Sequence, residues 1–147
     1  MPQLDALPEP IHILLVRDDP VGSLHLRLAI AMAPIRTVVH GIEKTVSAVR
    51  SLTRSIRGGS RAPQLILLEC DLKDAASQEI LSLARKSPEI ARAALVVLGD
   101  GDDPEQESKA SVLGATGFIA RPERASDLPR LARDLGRVWT SVQAMAS

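Results

Sequence analysis

The sequence predicts a doubly wound α/β domain built on a parallel five-stranded sheet. The first observation is that short, near-continuous apolar runs recur along the chain, as expected of strands covered on both faces. The second is that a longer segment, with apolar residues at helical spacing, follows each run. Strands and helices in strict alternation indicate parallel strands joined by right-handed crossovers, so we expect five strands and five helices.

The predicted strands are the apolar runs themselves. They are Ile11–Val16, Ile35–His40, Gln64–Glu69, Ala94–Leu98 and Gly117–Ala120. A flexible break that contains Gly58, Gly59, Ser60 and Pro63 precedes the third strand.

The first three helices are placed by their caps and breakers. Asp19-Pro20 suits an N-cap followed by the first helical position, and the helix that follows stops near Pro34. The third helix covers Ala75–Lys86, and Ser87-Pro88 ends it. The second helix begins at Gly41 and places five apolar residues near one face: Ile42, Val46, Val49, Leu52 and Ile56.

The last two helices follow acidic residues. Asp103-Pro104 starts the fourth helix, and Gln106 is placed to complete a capping box. Ser126 or Asp127 caps the fifth helix, whose apolar residues form one stripe: Leu128, Leu131, Leu135, Val138 and Val142.

The composition excludes several classes of protein. The 147 residues carry 18 Lys and Arg against 18 Asp and Glu, so the formal net charge is zero. That balance argues against a general binder of nucleic acid or anionic membranes. One cysteine cannot form an internal disulfide, no apolar run nears the ~20 residues of a membrane span, and the N-terminus does not resemble a signal peptide. We therefore expect a cytoplasmic protein without nucleic-acid or membrane partners.

Other residues that often carry chemistry have plainer interpretations here. His12, His25 and His40 lie on different elements without ligand spacing, so we expect no metal site among them. No glycine-rich phosphate loop follows the first strand, which argues against a nucleotide-binding enzyme. In doubly wound folds the functional crevice lies outside the carboxyl ends of the strands. The residues to examine are therefore those that follow the strands: Arg17, Asp18, Glu69, Gly99, Asp100 and Arg121.

These positions belong to segments that resemble a known family. ILLVRDDP at 13–20, LILLECDL at 65–72, VVLGD at 96–100 and GATGFIARP at 114–122 resemble, in order and spacing, the motifs of response-regulator receiver domains. The resemblance runs from about Ile11 to Val142 and implies a CheY-like, flavodoxin-type sheet of order 2-1-3-4-5. Gly41–Lys44, the charged segment Arg54–Pro63 and the tail around Trp139 are most similar to the single-domain regulators of phytochromes.

The resemblance also implies a chemistry for the site. In a working receiver, an aspartate at the end of the third strand takes a phosphoryl group from a phosphohistidine. That aspartate and two acids after the first strand hold Mg²⁺, while a Thr or Ser and a Lys hold the phosphoryl oxygens. Such neutralisation is needed because an anionic nucleophile must meet an anionic phosphate.

This sequence departs from that pattern at the acidic positions. Glu69 stands at the phosphoacceptor position, where the extra methylene displaces the carboxylate, and a misplacement of ~1 Å can cost ~100-fold in rate. Arg17 and Asp18 stand at the acidic metal-site positions, so a guanidinium replaces one acid. Asp71 lies two residues past Glu69 and is either an ordinary loop acid, the interpretation that we favour, or an alternative phosphoacceptor.

The remaining functional positions differ as well. The hydroxyl switch position is Gly99 and the aromatic switch position is Phe118, while Arg121 stands at the family's lysine position. We hypothesise that Arg17 and Arg121 form an ion-pair cluster with Glu69 and Asp18 in place of metal and phosphate. The alternative is that Arg17 extends into solvent.

We therefore expect an atypical single-domain response regulator, a pseudo-receiver that acts in two-component signalling by protein–protein contact and not as an enzyme. It would have no catalytic residue, metal or cofactor. Its partners would be a sensor histidine kinase or another signalling protein, and a second copy of the chain. The alternative is a conventional phosphorylatable receiver, which needs Mg²⁺ and accepts phosphate from a sensor kinase such as a phytochrome.

Trp139 has two interpretations. It either closes the core near the end of the last helix or anchors a partner, since Trp is enriched at interface hot spots. The resemblance favours an anchor, because receivers commonly self-associate through the fourth helix, fifth strand and fifth helix. We place the domain at 11–143, between an N-terminal tail at 1–10 and a C-terminal tail at 144–147.

Overall fold

The computed structural model describes residues 10–17, 23–33, 35–58, 62–69 and 72–146, without the side chains of Arg17, Gln143, Met145 and Ala146. One parallel sheet contains five strands in the order β2-β1-β3-β4-β5. The strands are β1 (Ile11–Arg17), β2 (Thr37–Ile42), β3 (Leu65–Glu69), β4 (Ala94–Gly99) and β5 (Gly117–Ala120). This topology confirms the predicted fold class.

The described part of the chain contains six helices that connect and cover the strands, one more than predicted. They are α1 (Ser23–Ala31), α2 (Thr45–Ile56), α3 (Ala75–Lys86), α4 (Pro88–Ala91), α5 (Pro104–Val112) and α6 (Leu128–Ala146). The additional helix is α4, because Pro88 ends α3 but also suits the first position of a new short helix. A 3-10 turn over Ala125–Asp127 precedes α6.

The second strand lies two residues later than predicted. In the parallel register, Ile11 of β1 lies opposite Thr37 and Val16 lies opposite Ile42, so Gly41 and Ile42 belong to β2. The interpretation of Gly41 as a helix start was therefore wrong, and α2 begins at Thr45. Val46 is 55% exposed, whereas the buried residues of α2 are Thr45, Ala48, Leu52 and Ser55.

The predicted helix caps are observed in part. Asp103 caps α5 as expected, since its side chain accepts the Glu105 N–H at 3.0 Å. Gln106 does not complete a capping box; its Oε1 accepts the Asp100 N–H at 3.0 Å instead, at the end of β4. The predicted cap at Asp19-Pro20 lies outside the described residues.

Apolar residues on the two faces of the sheet form two core layers. Helices α1 and α6 cover one face, and the helices from α2 to α5 cover the other. All five residues of β3 are buried, as expected of a central parallel strand. Within the described residues, no helix has both the length and the apolar character that crossing a membrane requires. This packing leaves the carboxyl ends of the strands as the edge where polar side chains gather.

Candidate functional site

The carboxyl ends of the central strands bring the predicted site positions together. Arg17, the last residue of β1, lies opposite Glu69, the last residue of β3. Gly99 ends the adjacent strand β4 and lies opposite Ala120 of β5, with Arg121 next in the chain. The backbone register thus gathers Arg17, Glu69, Gly99 and Arg121 at one edge of the sheet.

Glu69 and Arg121 form an ion pair at this edge. The Nε of Arg121 lies 3.1 Å from Oε1 of Glu69, whose side chain is 9% exposed, while the Arg121 side chain is 46% exposed. The Arg121 backbone N–H donates to the Gly99 carbonyl at 2.8 Å, so the start of this loop is fixed to β4. A carboxylate this buried needs a charged or hydrogen-bonding partner, and the guanidinium supplies one.

The observed ion pair is one part of the hypothesised cluster. The side chain of Arg17 and the whole of Asp18 lie outside the described residues, as does Asp71. The part of the hypothesis that concerns them stays a prediction. Glu69 is involved in a further interaction beyond Arg121.

The space beside Gly99 is already occupied. A Cβ at Gly99 would lie 2.5 Å from Oε1 of Gln106 and 2.9 Å from Cε2 of Phe118. Both distances are shorter than real Cβ contacts, so a Ser or Thr at this position would require its neighbours to move. The residue at the predicted switch position therefore has no hydroxyl, and the side chains of Gln106 and Phe118 fill the space beside it.

A polar cleft of about 450 Å³ lies beside the ion pair. The residues that line it are a mixture of basic, acidic and uncharged ones: Leu72, Lys73, Asp103, Glu105, Gln106, Lys109 and Arg121. Sequence reasoning missed Lys109 and assigned Gln106 to a cap. The signal for Gln106 was its place in the first turn of α5, the helix that follows β4, which lets its amide reach back to that strand end.

The donor set of the described residues does not fit a receiver-type magnesium site. Mg²⁺ requires several oxygen ligands in near-octahedral geometry. Among the residues that the structure describes, no group of three or more His, Cys, Asp or Glu side chains converges in a way that could hold a metal ion. The buried carboxylate of Glu69 instead faces the Arg121 guanidinium.

The two aromatic side chains lie on opposite sides of the sheet. Phe118 is half-buried and packs against the core layer beneath α2 to α5. Trp139 is 5% exposed and belongs to the core layer beneath α1 and α6. Trp139 therefore closes the core, which was one of its two sequence interpretations.

Sequence comparison relates the chain to response regulators. No family model matches the chain. A two-component response regulator of Oryza sativa subsp. japonica, ORR12, is 27% identical over 122 residues, which cover 82% of this chain and 93% of the relative.

Solved structures of receivers have the same fold. A response regulator receiver domain from Rhodospirillum rubrum is 25% identical with a TM-score of 0.73, over 89% of this chain and 94% of its own. The phosphorylated cyanobacterial phytochrome response regulator RcpA is 22% identical, with a TM-score of 0.73, over 90% and 96%. The Mn²⁺-bound form of response regulator Rcp1 is 21% identical, with a TM-score of 0.72, over 88% and 94%. These findings confirm the resemblance: the chain has the CheY-like fold of response-regulator receiver domains.

Proposed function

We propose that the chain is an atypical response regulator in two-component signalling, a pseudo-receiver that acts through protein–protein contact without phosphorylation at the usual position. One observation carries this proposal. The carboxylate at the phosphoacceptor position, that of Glu69, is nearly buried and forms an ion pair with Arg121 at 3.1 Å.

This ion pair opposes phosphoryl transfer for a physical reason. An attacking carboxylate must approach the phosphorus in line, with cations placed to neutralise the phosphoryl oxygens. Here the guanidinium that should contact phosphate already neutralises the carboxylate. The register also places Arg17 beside Glu69, at a position where the family has an acid that helps to hold the cation.

The switch positions support a single conformation of the site. Gly99 supplies no hydroxyl to follow a phosphoryl group, and Phe118 and Gln106 occupy the space next to it. Phosphorylation can shift a protein between two conformations only if it stabilises one of them more than the other. Without the moving hydroxyl, we expect a single conformation, which presents the same surface to its partners at all times.

The proposed partners are a sensor histidine kinase or another signalling protein, and a second copy of this chain. One structural neighbour is a cyanobacterial phytochrome response regulator, which makes a phytochrome kinase a candidate. For the homodimer we propose the face made by α5, β5 and α6. Strand β5 is at the edge of the sheet, and a groove of about 250 Å³ between it and α6 is lined by residues that include Phe118, Asp134, Arg137 and Val138.

Incubation with acetyl phosphate and Mg²⁺ tests the proposal. We expect no hydroxylamine-sensitive phosphoryl label on the intact chain under conditions that label a conventional receiver. Glu69→Asp should also stay unlabelled, because Gly99 and Arg121 are unchanged in that variant. Stoichiometric label on Glu69, or on Asp71 as judged by its loss in Asp71→Asn, would instead establish the conventional phosphorylatable receiver.

A further inference from the structure

Two histidines from different strands meet on one face of the sheet, far from the ion pair. Leu14 of β1 lies opposite His40 of β2, and His12 precedes Leu14 by two residues. Side chains two residues apart on a strand point to the same face, so His12 and His40 are diagonal neighbours. Nδ1 of His12 lies 3.4 Å from Nε2 of His40.

The two imidazoles meet edge to edge. Their ring planes differ by 10° and their ring centres are 5.7 Å apart. This separation exceeds the distance between the two nitrogens by about two ring radii, so both nitrogens lie on the line between the centres. Each nitrogen therefore directs its N–H or lone pair at the other, and the rings are nearly coplanar instead of lying face to face.

One of these rings is on a fixed backbone and the other is accessible. The His12 N–H donates to Oε1 of Gln64 at 2.8 Å, and the His12 carbonyl accepts the Gln64 N–H at 2.9 Å. His40 is exposed, and both rings line a cleft of about 400 Å³ that Ser51 and Arg54 of α2 also line. An ion from solvent can reach the pair without unfolding.

We propose that Nδ1 of His12 and Nε2 of His40 form a two-nitrogen binding site for Zn²⁺. Two imidazole ligands at the usual zinc distance of about 2.0–2.1 Å, in tetrahedral geometry, have nitrogens about 3.3–3.4 Å apart. The observed separation of 3.4 Å matches that value. Each ring turns by about 35° from the shared line to aim its lone pair at the ion, and water fills the other positions.

Binding requires both facing nitrogens to be unprotonated. In the neutral pair one of them carries the proton of the N–H···N bond, and that proton moves to the other nitrogen of the same ring. No net proton is released from a neutral pair, whereas a protonated pair releases one or two. Zinc therefore competes with protons, and its affinity falls as the solution becomes acidic.

Arg54 distinguishes a cation site from an anion site. It lines the same cleft, so its positive charge repels a bound cation and attracts a bound anion. If zinc is the ligand, Arg54→Gln tightens binding. If the histidines and Arg54 together bind phosphate, the same substitution weakens it.

The test is a ZnCl₂ titration of the intact, tag-free chain, followed by calorimetry and by the NMR signals of the three imidazoles. We expect one zinc per chain, with shifts at His12 and His40 but not at His25. His40→Ala should lower the apparent zinc affinity by about tenfold or more. Lowering the pH to about 5.5 should also lower the zinc affinity. His25→Ala removes an imidazole on α1. It is the matched control and should leave the zinc affinity unchanged.

Several outcomes would overturn the site. One is the absence of zinc-dependent shifts at the two imidazoles up to millimolar zinc. Another is saturable binding that survives His40→Ala and disappears in Cys70→Ser. A third is a titration with inorganic phosphate that shifts the same two imidazoles and weakens in Arg54→Gln. Because His40 is exposed, His40→Ala should remain folded, and circular dichroism of each variant checks this.

Discussion

The ring of Phe118 occupies the space that a side chain at Gly99 would need, since a Cβ there would lie 2.9 Å from Cε2 of the ring. The two residues lie on neighbouring strands as diagonal neighbours, since Phe118 lies opposite Val97 and Gly99 lies opposite Ala120. A ring without a hydroxyl therefore packs against a residue without a side chain. The residues at the two predicted switch positions therefore belong to one packing arrangement.

Restoring a hydroxyl at this position should destabilise the fold. Gly99→Thr places a Cβ against Gln106 and Phe118, and overpacking of this kind costs about 1–3 kcal/mol. Gly99→Ala should cost a similar amount, because the Cβ itself makes the contact. Urea unfolding followed by circular dichroism measures both values.

If the Phe118 ring limits the space at Gly99, the effects of substitutions at the two positions should be coupled. Phe118→Leu, combined with Gly99→Thr, should recover part of the lost stability, because a smaller side chain leaves room for the threonine. Strictly additive losses in the double variant would show that the ring does not set the limit at Gly99.

Removing the guanidinium from the ion pair should also lower stability. Arg121→Met leaves the Glu69 carboxylate nearly buried with one partner fewer. We expect a loss of about 1 kcal/mol, below the value for a fully buried pair, because nearly half of the Arg121 side chain is exposed and solvent screens it.

A double-mutant cycle isolates this interaction. In the Glu69→Gln background a neutral amide replaces the carboxylate, so Arg121→Met should cost clearly less than in the natural chain. Equal losses in the two backgrounds would mean that Arg121 stabilises the edge by packing of its aliphatic part.

The fold was predictable because apolar runs and caps report local structure. The runs at 64–69 and 94–98 and the helix Ala75–Lys86 agree with the structure to within one residue at each end. The start of β2 was not predictable, because the register with β1 decides whether Gly41 extends the strand or begins a helix. The chain gives no local signal for such a long-range choice.

The residues of the candidate site could be predicted from the sequence, but most of their side-chain contacts could not. The positions of Glu69, Gly99 and Arg121 follow from the ends of strands, but the reach of the Gln106 amide depends on where α5 starts relative to β4. The meeting of His12 and His40 was missed for the same reason. Their separation of 28 residues carries no ligand spacing, and only the β1–β2 register brings them together.

Asp127, immediately before the start of α6, should make the stability of the fold depend on pH. Its carboxylate accepts the Glu123 N–H at 2.9 Å and the Arg124 N–H at 3.2 Å. The bond from Glu123 is the main reason that the pKa of Asp127 is lowered, and Arg124 and Arg130 add to it. Because its pKa is lower in the folded state, the ionised carboxylate stabilises the fold at every pH above the unfolded pKa of about 4. This stabilisation is lost as the pH falls through the folded pKa.

The measurement is thermal unfolding from neutral pH down to about pH 3. The natural chain should lose stability across that window, and Asp127→Asn should lose less because no charge remains to be neutralised. Asp102→Asn replaces an exposed aspartate on another loop and serves as the control. Parallel curves for the natural chain and Asp127→Asn would exclude Asp127 as a source of the pH dependence.

Arg137 offers a test of the proposed dimer. It is exposed on α6 and lines the groove beside β5. In light scattering the natural chain should be dimeric, and Arg137→Glu should shift it towards monomer by reversing a charge in the interface. Arg133→Glu makes the same charge change on α6 outside that groove and should remain dimeric; a monomeric natural chain would contradict the dimer.

Trp139 separates a core role from an interface role. Its side chain is 5% exposed and belongs to the core layer with Leu131, Leu135 and Val142. Trp139→Ala leaves a cavity and should cost about 3–5 kcal/mol, while Trp139→Phe should cost less because most of the volume is kept. Urea unfolding should therefore show a large loss of stability in Trp139→Ala, and any change in light scattering should follow that loss. If Trp139→Ala kept full stability and became monomeric, the indole would have to be an interface anchor, and its burial in the isolated chain would then have no energetic role.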